Sequence, residues 1–212
     1  MANSSKAIIF DLDGVLVDSG EANYQAFAYG IENLGLPRPE RVAVMDLVGL
    51  KAARMLELLG CPKDETHSVF KEFVQPYYLD NLCSFIRAMP DADPVLSELK
   101  ARNYEILACT SGGRVIQTQV LKAIGLWKYI EKMQTPDDSD FQKPDPCYLQ
   151  GLFTDGQPDT LFHVEDSEAG IRMGNACGAI TIFSEYGYGT LPPDLKVDHR
   201  IGALRELLRI VK

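Results

Sequence analysis

Asp11 and Asp13 stand two positions apart at the end of the apolar run Ala7-Ile8-Ile9-Phe10. If the chain is still extended there, both carboxylates point to one side. Gly14 follows, where a sharp turn needs backbone freedom. Two acids aimed together at the end of a buried strand repel each other unless a cation, or the partners of an anionic ligand, compensate. Two later apolar runs also end in reactive groups. Tyr104 to Cys109 ends in Thr110-Ser111-Gly112-Gly113, and Leu161 to Val164 ends in Glu165-Asp166. Lys143 lies between them in Gln142-Lys143-Pro144-Asp145-Pro146. Phosphoryl transfer fits this set. A carboxylate can attack phosphorus to form an acyl phosphate, splitting one hard step into two easier ones. The hydroxyl of Thr110 and the N–H groups of Ser111 and Gly112 are suited to phosphoryl oxygens. Each piece taken alone has a plainer reading: a strand-to-helix cap at Thr110, a surface lysine at 143, and charge complementarity at a helix start for Glu165-Asp166.

The elements that must hold these residues follow from periodicity. Ala7 to Phe10 reads as a strand buried on both faces. From Asp18 the pattern becomes helical, with Asp18 and Glu21 spaced like an N-cap and its reciprocal acid. Further helical stretches are predicted at 40–48, 52–59 and from Asp64, where Pro76 should kink or end the first part. Residues 18–87 thus read as helical throughout. Beyond Pro90, helices at 93–102, 114–124, 146–153 and 167–178 alternate with strands at 104–109, 132–134, 161–164 and 179–183, and an amphipathic helix at 201–211 closes the chain. Such alternation predicts a parallel sheet wrapped by helices. Open parallel sheets put ligands beyond the carboxyl ends of their strands, which is where the reactive groups fall.

The string Asp11-Leu12-Asp13-Gly14-Val15-Leu16-Val17-Asp18-Ser19 resembles motif one of the haloacid-dehalogenase-like superfamily, in the branch of phosphoglycolate-phosphatase-like and β-phosphoglucomutase-like members. Thr110 resembles motif two, Lys143 motif three, and Val164-Glu165-Asp166-Ser167 motif four, in the order that family requires. The resemblance implies a Rossmann-like core from residues 1–17 and 88–212, with an all-helical cap domain, 18–87, inserted as a lid. It implies Asp11 as nucleophile, Asp13 as general acid and base, and Mg²⁺ as cofactor. The implied metal ligands are the Asp11 carboxylate, the Asp13 backbone carbonyl and the Asp166 carboxylate, with Glu165 serving directly or through water. Lys143 ties the nucleophile to the phosphoryl group. Lys51 and Arg54 either reach a second anionic group of the substrate from the cap or form an exposed basic face. A phosphomonoesterase acting on a small phosphorylated metabolite is the first expectation. A sugar phosphomutase of β-phosphoglucomutase type and a non-catalytic phosphate-binding protein are the alternatives. A dehalogenase has no use for the second acid at 13.

A net charge of −9 over 212 residues disfavours nucleic acid, which needs clustered Lys and Arg. Cys61, Cys83, Cys109, Cys147 and Cys177 are odd in number and form no C-x-x-C pair, as suits reduced thiols. With no signal-peptide core and no membrane-length apolar run, the expectation is a cytoplasmic protein, monomeric or homodimeric, without a membrane partner. The acidic run Asp137, Asp138, Asp140 is expected to be a solvated loop. His67, His163 and His199 have no metal-pair spacing, and Tyr186-Gly187-Tyr188-Gly189 reads as a flexible aromatic loop near the active edge.

Overall fold

The computed structural model describes residues 5–153 and 156–211. Its strands are β1 Lys6–Phe10, β2 Val17–Asp18, β3 Arg87–Ala88, β4 Glu105–Cys109, β5 Lys132–Gln134, β6 Thr160–Glu165, β7 Ile180–Ser184 and β8 His199–Ile201. Six of them form one sheet in the order β5-β4-β1-β6-β7-β8, with every neighbouring pair parallel. Strand order reverses at β1, the switch point where such sheets open a crevice.

The central strand explains itself. Ala7, Ile8, Ile9 and Phe10 are all fully buried, as parallel strands covered on both faces require. Ile8 and Phe10 pack with one set of side chains, including Val95, Leu99 and Val120. Ala7 and Ile9 pack with another, including Tyr148, Leu149 and Met173. Burying each large apolar side chain stabilises the sheet by about 1.5–3 kcal/mol.

Between β2 and β3 the chain is helical: α1 Gly20–Glu32, α2 Arg41–Met45, α3 Ala52–Leu58, α4 Thr66–Val69, α5 Gln75–Asp80 and α6 Leu82–Phe85. The remaining helices cover the sheet: α7 Ala92–Ala101, α8 Arg114–Ala123, α9 Pro146–Gln150, α10 Glu168–Ala176 and α11 Leu207–Ile210. The expected outer ends of the core, residues 1 and 212, lie outside the described residues.

Four expectations need correction. The block 18–87 is not helical to its ends: Asp18 pairs with Arg87 and Val17 with Ala88 in a two-stranded antiparallel ladder. This ladder clasps the two chain crossings into the helical segment. The Asp18/Glu21 capping box does not form. The N-cap position of α1 is Ser19, which makes no side-chain cap bond, because its hydroxyl is bonded to Asp13. Pro76 does not end its helical run: it lies in the first turn of α5, where its missing N–H is tolerated, directly after a π-helical turn, Phe70–Val74. Finally, Ile201 belongs to β8 rather than to a closing helix. The free edge of β7 offers it a parallel partner, Ser184, and the last helix begins only at Leu207.

Candidate active site

Each reactive residue sits at the carboxyl edge of the sheet because a strand ends there. Phe10 pairs with Ala108 on one side and Val164 on the other. The next residue on β1, Asp11, still donates its N–H to the Val164 carbonyl at 3.0 Å. Thr110 follows β4 and donates its N–H to Gln134 O at 3.1 Å. Glu165 is the last residue of β6, and Asp166 follows it. The register therefore brings Asp11, Thr110 and Asp166 onto one rim.

After Asp11 the chain turns at once. The carbonyl of Leu12 accepts from the N–H groups of Val15, Leu16 and Val17 at 3.1, 2.9 and 2.8 Å. Gly14 has φ +83, and a Cβ there would overlap the Asp166 carboxylate. The turn thus demands glycine both for its backbone angle and for the close approach of the acid from β6.

The buried charges converge on Lys143. Its ammonium lies 2.8 Å from Asp11 Oδ1 and also pairs with Glu165 Oε1. Glu165 has 0 % exposure, and its other oxygen accepts from Asp166 N, Ser167 N and Ser167 Oγ at 3.0, 3.0 and 2.8 Å. Ser167 also caps α10, accepting from Gly170 N at 3.1 Å. Burial alone would raise the Glu165 carboxyl, yet the Lys143 ammonium and the hydrogen bonds hold it below the usual range. Asp11 is pushed well up by burial, against the pull of Lys143. Asp166 is pushed up to about 7 by burial and by the charge of Glu165; it accepts from Tyr188 N at 2.7 Å. Oxygens of Asp11, Glu165 and Asp166 lie within 4.8 Å of one another.

This donor set fits a hard divalent cation. Three buried carboxylates face one ammonium, so the cluster carries excess negative charge that an oxygen-seeking ion would neutralise. Oxygens of Asp11, Glu165 and Asp166 are the groups that could hold it. Both Glu165 oxygens also have partners in Lys143 and the start of α10.

Asp13 is held apart from that cluster. One of its oxygens accepts from Ser19 Oγ, and the other from Gln117 Nε2 at 2.7 Å. Burial raises its carboxyl, and these two bonds partly offset the rise. Asp11, Asp13, Thr110, Ser111, Gly112 and Gln117 line one cavity of about 70 Å³. Thr110 is buried; its Oγ1 accepts from Gly112 N at 3.1 Å, and its carbonyl accepts from Tyr148 Oη at 2.6 Å. Lys51 and Arg54 do not line that cavity. They border a neighbouring cleft of about 520 Å³, together with Lys63, Ser111 and Lys143, and Arg54 is paired with Glu57 at 2.8 Å.

Haloacid dehalogenase-like hydrolases match this chain over residues 8–183. The chain belongs to that family. Phosphoglycolate phosphatase of Neisseria gonorrhoeae is 29% identical over 217 residues, covering 95% of this chain and 91% of that protein. Probable phosphatase IndB of Dickeya dadantii is 28% identical over 226 residues, covering 96% and 95%. The crystal structure of a predicted phosphoglycolate phosphatase from Haemophilus somnus superposes with a TM-score of 0.87 at 25% identity, each chain covered in full.

Within this haloacid dehalogenase-like rim, two supports escaped the sequence reading. Gln117 is a polar residue on the buried stripe of α8, beside Ile116, Val120 and Leu121. A buried amide must find a partner, and that was the available signal. Tyr188 fastens its loop: its hydroxyl accepts from Ser19 N and Gly20 N, both at 2.8 Å, and donates to Asp18 at 3.1 Å. The acidic run Asp137, Asp138, Asp140 is exposed loop, as expected, and two of its acids are paired there. Asp138 pairs with Arg114 and accepts from Thr135 Oγ1 at 2.6 Å, and Asp137 accepts from Arg114 N at 2.7 Å. The five cysteines are free, and among the described residues no helix is long and apolar enough to cross a membrane.

Proposed function

We propose that this chain is a phosphatase that hydrolyses a small phosphorylated metabolite through an aspartyl phosphate on Asp11, using Mg²⁺. The observation that carries this reading is the Lys143 ammonium joining Asp11 to Glu165 in a buried acidic cluster that opens onto Thr110. An Asp11 oxygen attacks phosphorus, the P–O bond to the leaving group breaks, and its electron pair stays on the leaving oxygen. Asp13 lines the same cavity and gives that oxygen a proton. Water then attacks phosphorus, Asp13 takes the proton, and the acyl phosphate bond breaks to free Asp11 and inorganic phosphate. Thr110, Ser111 and Gly112 hold phosphoryl oxygens through hydroxyl and backbone N–H groups. A divalent ion, when bound at Asp11 and Asp166, offsets the repulsion between carboxylate and phosphate.

The helical segment between β2 and β3 acts as the lid in this reading. Its residues supply one wall of the catalytic cavity, so closure would exclude water while the acyl phosphate forms. The short β2–β3 ladder is its hinge. As monomer or homodimer the site is complete, since every group named belongs to one chain.

The test is phosphate release from p-nitrophenyl phosphate with magnesium, for the wild type and Asp11→Asn. The wild type turns over. The Asn variant keeps its fold by circular dichroism and loses at least ~10³-fold in rate, as removal of a covalent nucleophile does. An active Asn variant refutes the assignment, and isomer formation from phosphosugars without phosphate release would make the enzyme a mutase.

A further inference from the structure

One residue of the loop after β7 touches both the acidic rim and the entry to the helical segment. Tyr188 donates its backbone N–H to Asp166 Oδ2 at 2.7 Å, and the next N–H, of Gly189, is bonded to the same carboxylate. The loop comes this close because glycines flank the tyrosine. A Cβ on Gly187 would overlap the Asp166 side chain, and one on Gly189 would overlap the Asp166 carbonyl. The Tyr188 ring then passes the turn after β1, where a Cβ on Gly14 would stand 3.1 Å from it, and reaches Gly20, where a Cβ would stand 3.3 Å from it.

At its far end the hydroxyl meets the first crossing into the helical segment. It accepts from Ser19 N and Gly20 N at 2.8 Å each and donates to Asp18 Oδ1 at 3.1 Å. A hydroxyl can give one hydrogen bond and accept two, and this one does all three. Ser19 makes no side-chain cap bond to its own helix, since its hydroxyl is committed to Asp13. Tyr188 supplies an acceptor to N–H groups left orphaned at that end. Asp18 belongs to β2, whose ladder with β3 clasps the two crossings. Rotating the helical segment about that ladder strains these three bonds, and moving the Asp166 carboxylate moves the backbone that carries the ring.

We propose that Tyr188 is a positioning residue that couples ion binding at Asp166 to the placement of α1, a role that rests on the phosphatase reading above, with Asp166 as metal ligand and the helical segment as lid. With an ion held there, the Asp166 carboxylate is fixed, its hydrogen bond steadies the Tyr188 backbone, and the Tyr188 hydroxyl holds the start of α1. Such coupling is reciprocal: the placement of α1 strengthens ion binding by the same factor.

The experiment follows amide hydrogen exchange of residues 17–23 in the full chain, in EDTA and in saturating magnesium, for wild type, Tyr188→Phe and Tyr186→Phe. The Tyr186 hydroxyl comes from the same loop but donates to Val15 O at 3.2 Å. In the wild type magnesium should slow exchange at Ser19 and Gly20 by roughly fivefold or more, the lower end of ordinary coupling. In Tyr188→Phe that slowing should fall below about twofold, and the magnesium midpoint for stabilisation against urea should rise by roughly fivefold. Tyr186→Phe should keep the wild-type response. If Tyr188→Phe does not fold, Asp18→Ala, which removes the exposed carboxylate that orients the hydroxyl, should show the same change in smaller measure. Loss of protection in Tyr188→Phe that is equal with and without magnesium, at an unchanged midpoint, makes the tyrosine a static brace and overturns the inference. So does magnesium-dependent turnover of p-nitrophenyl phosphate with no slowing of exchange in the wild type, which leaves the phosphatase reading standing, and so does equal loss of the response in Tyr186→Phe. A wild type that neither binds magnesium nor turns over p-nitrophenyl phosphate overturns the phosphatase reading itself, and the coupling falls with it.

Discussion

His163 offers a quantitative test of how the sheet is built. It sits in the middle of β6, between Ile9 of β1 and Thr181 of β7, and is fully buried. Neither ring nitrogen has a hydrogen-bond partner. Gly174 of α10 lies against it, where a Cβ would come within 2.6 Å of Nδ1. Burial therefore lowers its pKa from 6.5 to about 4, although the Glu165 charge pulls the other way. The folded state thus binds this proton less readily than the unfolded chain. Its stability contribution is intact above pH 6.5, declines as pH falls, and is fully lost near pH 4. At ~1.36 kcal/mol per unit, the whole window spans about 3.4 kcal/mol, and about 2 kcal/mol of it is gone by pH 5.

The perturbation is His163→Leu, which keeps an apolar side chain of similar size and removes two unsatisfied nitrogens. Asp11 and Asp166 carry pKa values raised by burial, so they favour the folded state as pH falls, opposite in sign to the histidine. They are common to both proteins and largely cancel in the comparison. Urea unfolding in EDTA at pH 7.5, 6 and 5 should show the variant gaining about 2 kcal/mol relative to wild type between the first and last. Parallel stability curves would refute the neutral, unpartnered imidazole.

Three further outcomes concern the site. Gln117→Leu removes an N–H that favours ionised Asp13; at ~1.5–3 kcal/mol for a bond to a charged group, the kcat/KM limb governed by Asp13 should move up by roughly 1–2 pH units, read with p-nitrophenyl phosphate. Lys143→Met strands buried Glu165 and Asp11 without a counter-charge, and should cost about 3–5 kcal/mol in urea unfolding as well as abolish turnover. Gly170→Ala should destabilise by about 1–3 kcal/mol in the same assay, because a Cβ at that position would overlap the Glu165 carboxylate.

What the sequence made legible, and what it did not, follows from where each interaction is decided. Asp11, Thr110 and Glu165-Asp166 were visible because each ends an apolar run, and parallel strands in register must finish along one edge. The loop lysine at 143 carried no such positional signal and rested on family resemblance, yet it is the cation that pairs with two of those acids. Asp18 read as the cap because helix-start rules consider only neighbours in sequence, whereas the N-cap position falls on Ser19. Its hydroxyl instead answers a buried carboxylate six residues back. The other hydrogen bond to that carboxylate comes from Gln117, 104 residues away. Periodicity could place Gln117 on the buried stripe of α8 but could not say what its amide would meet. The edge pairing of Ile201 was hidden for the same reason: a three-residue strand is defined by its neighbour β7, not by a pattern of its own.

The helical segment takes this further. Its apolar residues read from sequence as an ordinary core stripe, and most of them are that: Ile31, Leu56 and Val69 pack into the main cluster. Phe27, Met55, Val74 and Tyr78 belong to that cluster and Phe70 packs against it, but these five also line the cavity that holds Asp11 and Asp13. A wall that excludes water from two carboxylates must be apolar, as a core must. Sequence periodicity cannot separate the two, because the distinction lies in what stands opposite. That is why substrate choice in this protein has to be tested on the chamber itself, by a change such as Met55→Arg, and not inferred from the acidic rim it shares with its family.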